Sequence, residues 1–263
     1  MLLPAHRGLV APVAALSAAG GGAPYGAKAV HFDGSQFLNI NSLTATDSGL
    51  LSVSFWFRRH VIAASAQLWT VDPAGIYLST CGFGQAAGPS SLFTQNIANA
   101  ANTDNASIDT TGVAISLDIW HHVLLSMDVS GAGIAKLYLD RVDAGTAIFN
   151  GAPFTIAFNG LSFMVGADTF GGDEFIGDVA DLWIAPGQSL LIAGDIPSAT
   201  LDKFVTAGIK PVDLGADGST PTGTAPAIFF SDDASAFGQP NLGTGGAFTL
   251  TGSLTNASTS PSD

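Results

Sequence analysis

The sequence predicts an all-β fold, an antiparallel sandwich or jelly roll with an extended N-terminal arm and a C-terminal tail. Three observations carry that prediction. Apolar and polar residues alternate with period two in several short runs, clusters of Gly, Asn, Asp and Pro separate those runs, and helix-forming stretches rich in Lys and Glu are missing. The 263 residues are 47% hydrophobic and 11% charged, enough apolar material for one substantial core and too little charge for long solvated helices.

The chain divides by texture into three zones. Residues 1–28 form an Ala/Gly/Pro arm without alternation, including Gly20, Gly21 and Gly22. Residues 29–193 carry the β signals. In LSVSFWF, Leu51, Val53, Phe55 and Phe57 share one face while Ser52, Ser54 and Trp56 take the other, which predicts a half-buried strand. Val123, Leu125 and Met127 alternate with His122, Leu124 and Ser126, and Leu137 and Leu139 flank Tyr138 in a shorter strand that ends at Asp140. Asp128 to Gly133 between them reads as a Gly-rich hairpin connection. FIGDVADLWI, Phe175 to Ile184, breaks the alternation, because Val179, Leu182 and Ile184 are spaced three and then two; a bulge is the favoured reading, a strand covered on both faces the other. Residues 194–263 open with a short helix expected over Ser198 to Thr206. They then become rich in Gly, Thr, Ser and Pro, with strands only at Ala227 to Phe230 and Ala247 to Leu250. Both extensions have too little apolar content to order themselves, so they are expected to lie against neighbouring subunits or against the sandwich.

Charge excludes two classes of partner. The net charge of −13 arises from 21 acidic and 8 basic residues, and Arg58 and Arg59 are the only adjacent basic pair. Nucleic acid and anionic membrane surfaces both carry the wrong sign for such a chain. No apolar run approaches the length of a bilayer span. The apolar stretch Leu9 to Ala19 contains Pro12 and is preceded by Arg7 alone, which argues against a secretory leader. Cys81 is the single cysteine, so no internal disulfide forms and a buried, inert thiol is expected.

Five segments in order carry a family resemblance: VHFDGSQFLNI from Val30, LSVSFWFR from Leu51, WHHV from Trp120, LYLDR from Leu137, and FIGDVADLWI from Phe175. Over about 160 residues this order and spacing resemble the laminin G-like domains of the concanavalin A-like lectin/glucanase superfamily. The resemblance implies the two-sheet jelly roll. One departure stands out, since the turn after the LY pair, usually Asp-Gly, reads Asp140-Arg141 and is therefore expected to have another geometry. The segments GIKPVDLGADG from Gly208, Ser219 to Pro226, and Gly243 to Asp263 resemble the tails of tailed-bacteriophage and prophage virion proteins.

Glucanases of the resembled superfamily hydrolyse with two carboxylates, usually Glu residues on one strand. Here Glu174 is the only Glu. The densest acidic run, Asp168, Asp173, Glu174, Asp178 and Asp181, has no E-x-D-x-x-E-like spacing and reads as a solvated loop followed by a strand end. His121 and His122 are strand neighbours, so they point to opposite faces and cannot chelate one ion together; Trp120 is assigned to packing and the two histidines to strand hydrogen bonding. His31 and His60 lie in other segments. No G-x-S-x-G nucleophile elbow occurs, and Gly82-Phe83-Gly84 and Gly243 to Gly246 read as turns. The resemblance implies calcium as the one metal to weigh, with Asp33 and Asp181 as donors, because first and last strands of such sandwiches run side by side. The plainer reading is that Asp33 sets its own turn. For a sugar site, Trp56, Trp69 and Tyr77 are the aromatic candidates, against which stands the frequency of aromatics in cores.

These readings lead to a non-enzymatic protein with no catalytic, cofactor or metal residue assigned. The expected role is structural, in the virion of a tailed phage or phage-like particle, as capsid decoration or tail component. Its arms would assemble it with other virion subunits, as a homo-oligomer. The alternative is a carbohydrate-binding adhesion module that engages a host cell-surface glycan; a glycan hydrolase stands third. The expected location is the virion, after synthesis as a soluble protein in the bacterial cytoplasm without secretion.

Overall fold

The computed structural model describes residues 25–62, 66–71, 78–83, 93–110, 113, 115–168 and 172–263. In chain order the strands are β1 Val30–Asp33, β2 Phe37–Ile40, β3 Leu50–Arg59, β4 Ala66–Val71, β5 Ser79–Phe83, β6 Phe93–Ala98, β7 Asn105–Thr110 and β8 His121–Asp128. They continue as β9 Ile134–Leu139, β10 Val142–Asp143, β11 Gly145–Asn150, β12 Phe163–Val165, β13 Ile176–Pro186, β14 Ile228–Phe230, β15 Thr249–Thr251 and β16 Thr255–Asn256. One sheet has the order β10-β9-β8-β3-β13-β1-β16 with β14 also on β13, and the other the order β11-β7-β6-β5-β4-β12-β2-β15. All named pairings are antiparallel. The fold class read from the alternation is thus the observed one.

The core lies between the sheets. Leu51, Val53, Phe55 and Phe57 of β3, Val123, Leu125 and Met127 of β8, and Val179, Leu182 and Ile184 of β13 face Leu68, Trp69, Phe83, Ile108 and Phe163 of the other sheet, all essentially buried. Cys81 joins this core, where burial pushes its thiol up and keeps it inert.

The sheet that contains β3 is covered a second time. Residues 186–229 run back across its outer face, where Leu190, Ile196, Leu201, Phe204, Leu214 and Phe229 pack on Leu124, Tyr138 and Trp183. The expected half-buried strand at β3 is therefore buried on both faces. Its outward serines serve as anchors: Ser52 Oγ donates to Gln188 O at 3.0 Å, and Ser126 Oγ accepts from Leu190 N at 2.9 Å. Trp183 Nε1 donates to Gly218 O at 2.8 Å, and its ring meets Phe204 edge-on at 5.3 Å. Gly218 has φ +74°, and a Cβ there would stand 2.9–3.0 Å from Phe229, Pro226 and Trp183, so this position requires glycine. Strand β14 pairs with β13, β15 with β2 and β16 with β1, so of the two placements expected for the C-terminal segment the sandwich is the one observed. The arm before Tyr25 lies outside the described residues.

Strand β13 carries the bulge expected in FIGDVADLWI, and both expected explanations hold, because the strand is also covered on two faces. Its register against β3 shifts between Ala180 and Trp183, and Asp181 takes φ +48°. On the opposite edge β1 pairs up to Val179 and β14 from Leu182, so the bulge marks a change of partner. The expected helix shortens to α1, Ser198–Leu201, with Pro197 at its N-cap and no side-chain cap bond.

The turn from β9 to β10 corrects the expectation of another geometry. Asp140 and Arg141 have φ +49° and +68°, the double left-handed signature of the Asp-Gly type I′ turn. Side-chain anchors offset the cost of a left-handed arginine, roughly 1–2 kcal/mol. Asp140 accepts from His122 N at 2.7 Å and lies 2.6 Å from His121 Nδ1, while Arg141 pairs with Asp202 at 2.7 Å and donates to Val205 O.

Two buried titratable groups set opposing pH slopes. Burial raises the Asp181 carboxyl from 3.8 to about 6, although Ser231 and Tyr25 donate to its Oδ1 at 2.7 and 3.0 Å; its Oδ2 is buried without a partner. The folded chain then holds that proton more tightly than the unfolded chain, so stability falls as pH rises from about 4 to about 6. Burial lowers His122 from 6.5 to about 3, where its Nε2 lies 3.0 Å from Ser54 Oγ and its ring 4.8 Å from Trp56. There the unfolded chain holds the proton more tightly, and stability falls as pH drops from about 6.5 toward 3. Between pH of about 4 and 6 the two slopes cancel. Asp181→Asn is expected to raise stability by roughly 2–3 kcal/mol at pH 7.5 and to leave it unchanged near pH 4, since each pKa unit corresponds to about 1.4 kcal/mol. Urea unfolding at the two pH values measures it, and equal gains at both would contradict the assignment.

Candidate functional site

The strongest convergence of polar side chains lies on the outer face of β1, β3 and β13, beside the region that residues 186–229 cover. Val30 and Phe32 of β1 and Val179 of β13 point into the core, so by alternation His31 and Asp178 point outward. The antiparallel register sets His31 opposite Asp178, and on the other side of β13 it sets Arg58 opposite the same aspartate. His60 follows β3 directly, and its backbone N donates to Ile176 O at 3.3 Å, which turns its ring toward the same point.

Asp178 is 1% exposed and wholly surrounded. Its Oδ1 lies 2.8 Å from His31 Nδ1. Its Oδ2 accepts from Arg58 Nε at 2.6 Å and pairs with the second guanidinium nitrogen at 2.5 Å. His60 Nε2 stands 3.0 Å from that oxygen, and His60 Nδ1 lies 2.6 Å from the outlying Asp118. The rest of the guanidinium reaches Thr259 Oγ1 at 2.7 Å and Ser258 Oγ at 3.0 Å, which fixes the segment after β16. Trp120 is half-buried next to this group. Its Nε1 donates to Thr259 Oγ1 at 3.1 Å, and the guanidinium carbon of Arg58 stands 5.6 Å from the ring centroid. His31, Arg58, His60, Asp178, Asn256 and Ser258 line a hollow of about 220 Å³.

The other sequence candidates disperse. Asp33 and Asp181, the donors weighed for calcium, are not brought together: Asp33 pairs with Ile176 and accepts from Ser35 N and Oγ at 2.9 and 2.7 Å, which is the plainer reading of its turn, whereas Asp181 sits in the bulge. Trp56 and Trp69 are 2% and 0% exposed and belong to the packed interior, and Tyr77 lies outside the described residues. His121 and His122 point to opposite faces, toward Asp140 and Ser54. Asp168 accepts from Gly172 N at 2.7 Å, and Glu174 forms an isolated bridge with Gln67. The meeting of His31 and His60 escaped sequence reasoning; the expected adjacency of first and last strands, applied to Asp178 in place of Asp181, leads only to His31 beside Asp178.

The arrangement can hydrogen-bond and ion-pair a polar ligand. Donors and acceptors of both signs meet beside an aromatic face, and among the described residues the lining holds one carboxylate where two-carboxylate glycoside hydrolysis needs a pair. No helix among the described residues is long and apolar enough to cross a membrane.

Comparison with known proteins agrees with the sandwich. Solved structures that share the fold include a heptameric pentraxin from Limulus polyphemus, 13% identical with a TM-score of 0.53 over 86% of this chain and 95% of that one, and a protein from Bacteroides ovatus described as a carbohydrate-binding protein, 12% identical with a TM-score of 0.60 over 90% of this chain. The match spans 62% of the Bacteroides protein, less than two thirds of its length. No curated protein sequence matches. The model of the concanavalin A-like lectin/glucanases superfamily matches residues 32–188, more than half of the chain. With that match and the two-sheet antiparallel sandwich, the chain belongs to the concanavalin A-like lectin/glucanase superfamily.

Proposed function

We propose that the protein is a non-catalytic recognition module for a glycan, bound at the hollow between β1, β3, β13 and β16. The observation that carries this reading is the half-buried Trp120 ring held beside a cluster of fixed polar groups. A sugar presents both an apolar C–H face and hydroxyls, so an aromatic ring next to preorganised donors and acceptors matches it. Arg58, His31 and His60 are already positioned by Asp178, which lowers the ordering cost of binding. The Bacteroides protein of the same fold is described as carbohydrate-binding, which fits.

Screening the full chain against a glycan array, with and without added divalent cations, tests this reading. The expected result is a defined set of bound glycans, and Trp120→Ala should weaken binding by at least about tenfold, the scale of one lost aromatic contact with a ligand. Silence of the wild-type chain across the array would refute it.

A second reading, a self-associating structural subunit of a phage-like particle, is favoured by one surface observation. Val142 on edge strand β10 and Ile148 on edge strand β11 are each 63% exposed. Apolar side chains on sheet edges suit lateral association with another copy. Sedimentation of the full chain should then show oligomers that Ile148→Lys shifts toward monomer, and a monomeric wild type would remove this reading.

A further inference from the structure

We infer that His31 Nδ1, His60 Nε2 and Asp178 Oδ1 form a binding site for a divalent transition-metal cation of the zinc class. The three side chains offer ligand atoms that lie within 4.8 Å of one another, one on each of three neighbouring segments. Ligands on a tetrahedral Zn²⁺, with bonds of about 2.0–2.2 Å, stand about 3.4 Å apart, so small side-chain rotations suffice.

The surroundings of His60 supply the second line of support. Its Nε2 faces Asp178 at 3.0 Å, and on the far side of the ring Asp118 Oδ1 lies 2.6 Å from Nδ1. The carboxylate behind His60 is the arrangement by which metal-bound imidazoles are oriented and made more basic. Arg58 holds Asp178 by Oδ2, which fixes the carboxylate plane and leaves Oδ1 for the ion. Two imidazoles and one carboxylate suit zinc, cobalt or nickel and do not suit calcium, which takes oxygen ligands throughout. Three protein ligands leave a coordination position toward the hollow, open to water or a ligand hydroxyl. This assignment stands on ligand geometry and does not depend on which molecule the hollow recognises.

Calorimetric titration of the full chain with Zn²⁺ alone, paired with visible absorption of the Co²⁺ form, tests it without any glycan. The expected result is one saturable site with the d–d bands of a low-coordinate cobalt centre. The His31→Ala/His60→Ala double variant should lose it. Asp118→Asn, at a side chain 68% exposed and hence harmless to folding, should weaken it by at least about tenfold. A wild type without saturable Zn²⁺ binding, or wild-type affinity in either variant, would overturn the assignment.

Discussion

Trp183→Ala is expected to destabilise the folded chain by about 3–5 kcal/mol, the range for truncating a large buried aromatic. Trp183 is fully buried on the outer face of β13, and it is the point where the C-terminal segment is fastened to the sheet. Truncation removes the edge-on contact with Phe204 and leaves Gly218 O without its indole donor. It also opens a cavity beneath Leu201 and Phe204, which relaxes only in part because Ser52 and Ser126 still hold the start of the segment. Equilibrium urea unfolding measures the loss. Limited proteolysis adds a distinct readout, with cleavage in residues 186–229 of the variant and protection in the wild type. A loss below about 1 kcal/mol, the cost typical of a surface site, would contradict the packing of this segment on the sheet.

Asp178→Ala is expected to cost a similar 3–5 kcal/mol, for an electrostatic reason. Removing the acidic partner of a buried pair leaves the other charge without compensation. Here that charge is the Arg58 guanidinium, which would keep only hydroxyl acceptors on Ser258 and Thr259. His31 and His60 would lose their common carboxylate partner as well, so the hollow should collapse or fill with solvent. Asp178→Asn separates charge from shape, since it preserves volume and one acceptor oxygen. It should be intermediate in stability and as defective as alanine in Zn²⁺ binding. Urea unfolding of both variants checks the order.

Most of the fold was legible because one periodicity dominates. Alternation assigned β3, β8 and β9 to faces correctly, since a single row of large apolar residues marks the core side of each strand. The second cover of the sheet was not legible. Ser52, Ser54 and Ser126 look like solvent-facing residues in sequence, and only the return of residues 186–229 makes them buried hydrogen-bonding positions. The β9–β10 turn misled for a related reason, because the anchors that hold Arg141 in a left-handed conformation, Asp202 and Val205, lie far along the chain. The site itself failed by a register error. Asp181 lies in the bulge, beyond the residues that pair with β1, and Asp178, before the bulge, stands opposite His31. Nothing local in RRH signals that His60 and His31 meet, because their contact depends on β13 lying between β1 and β3.

Chemical-shift mapping of backbone amides during titration with a glycan bound on the array tests the central claim most directly. If the hollow is the recognition site, the perturbed amides are those of residues 31, 58, 60, 120 and 256–259, and Trp120→Ala shifts the titration to at least about tenfold higher glycan concentration. Perturbations on the opposite sheet, centred on β5, β6 and β7, with residues 31, 60 and 256–259 unmoved, would contradict it.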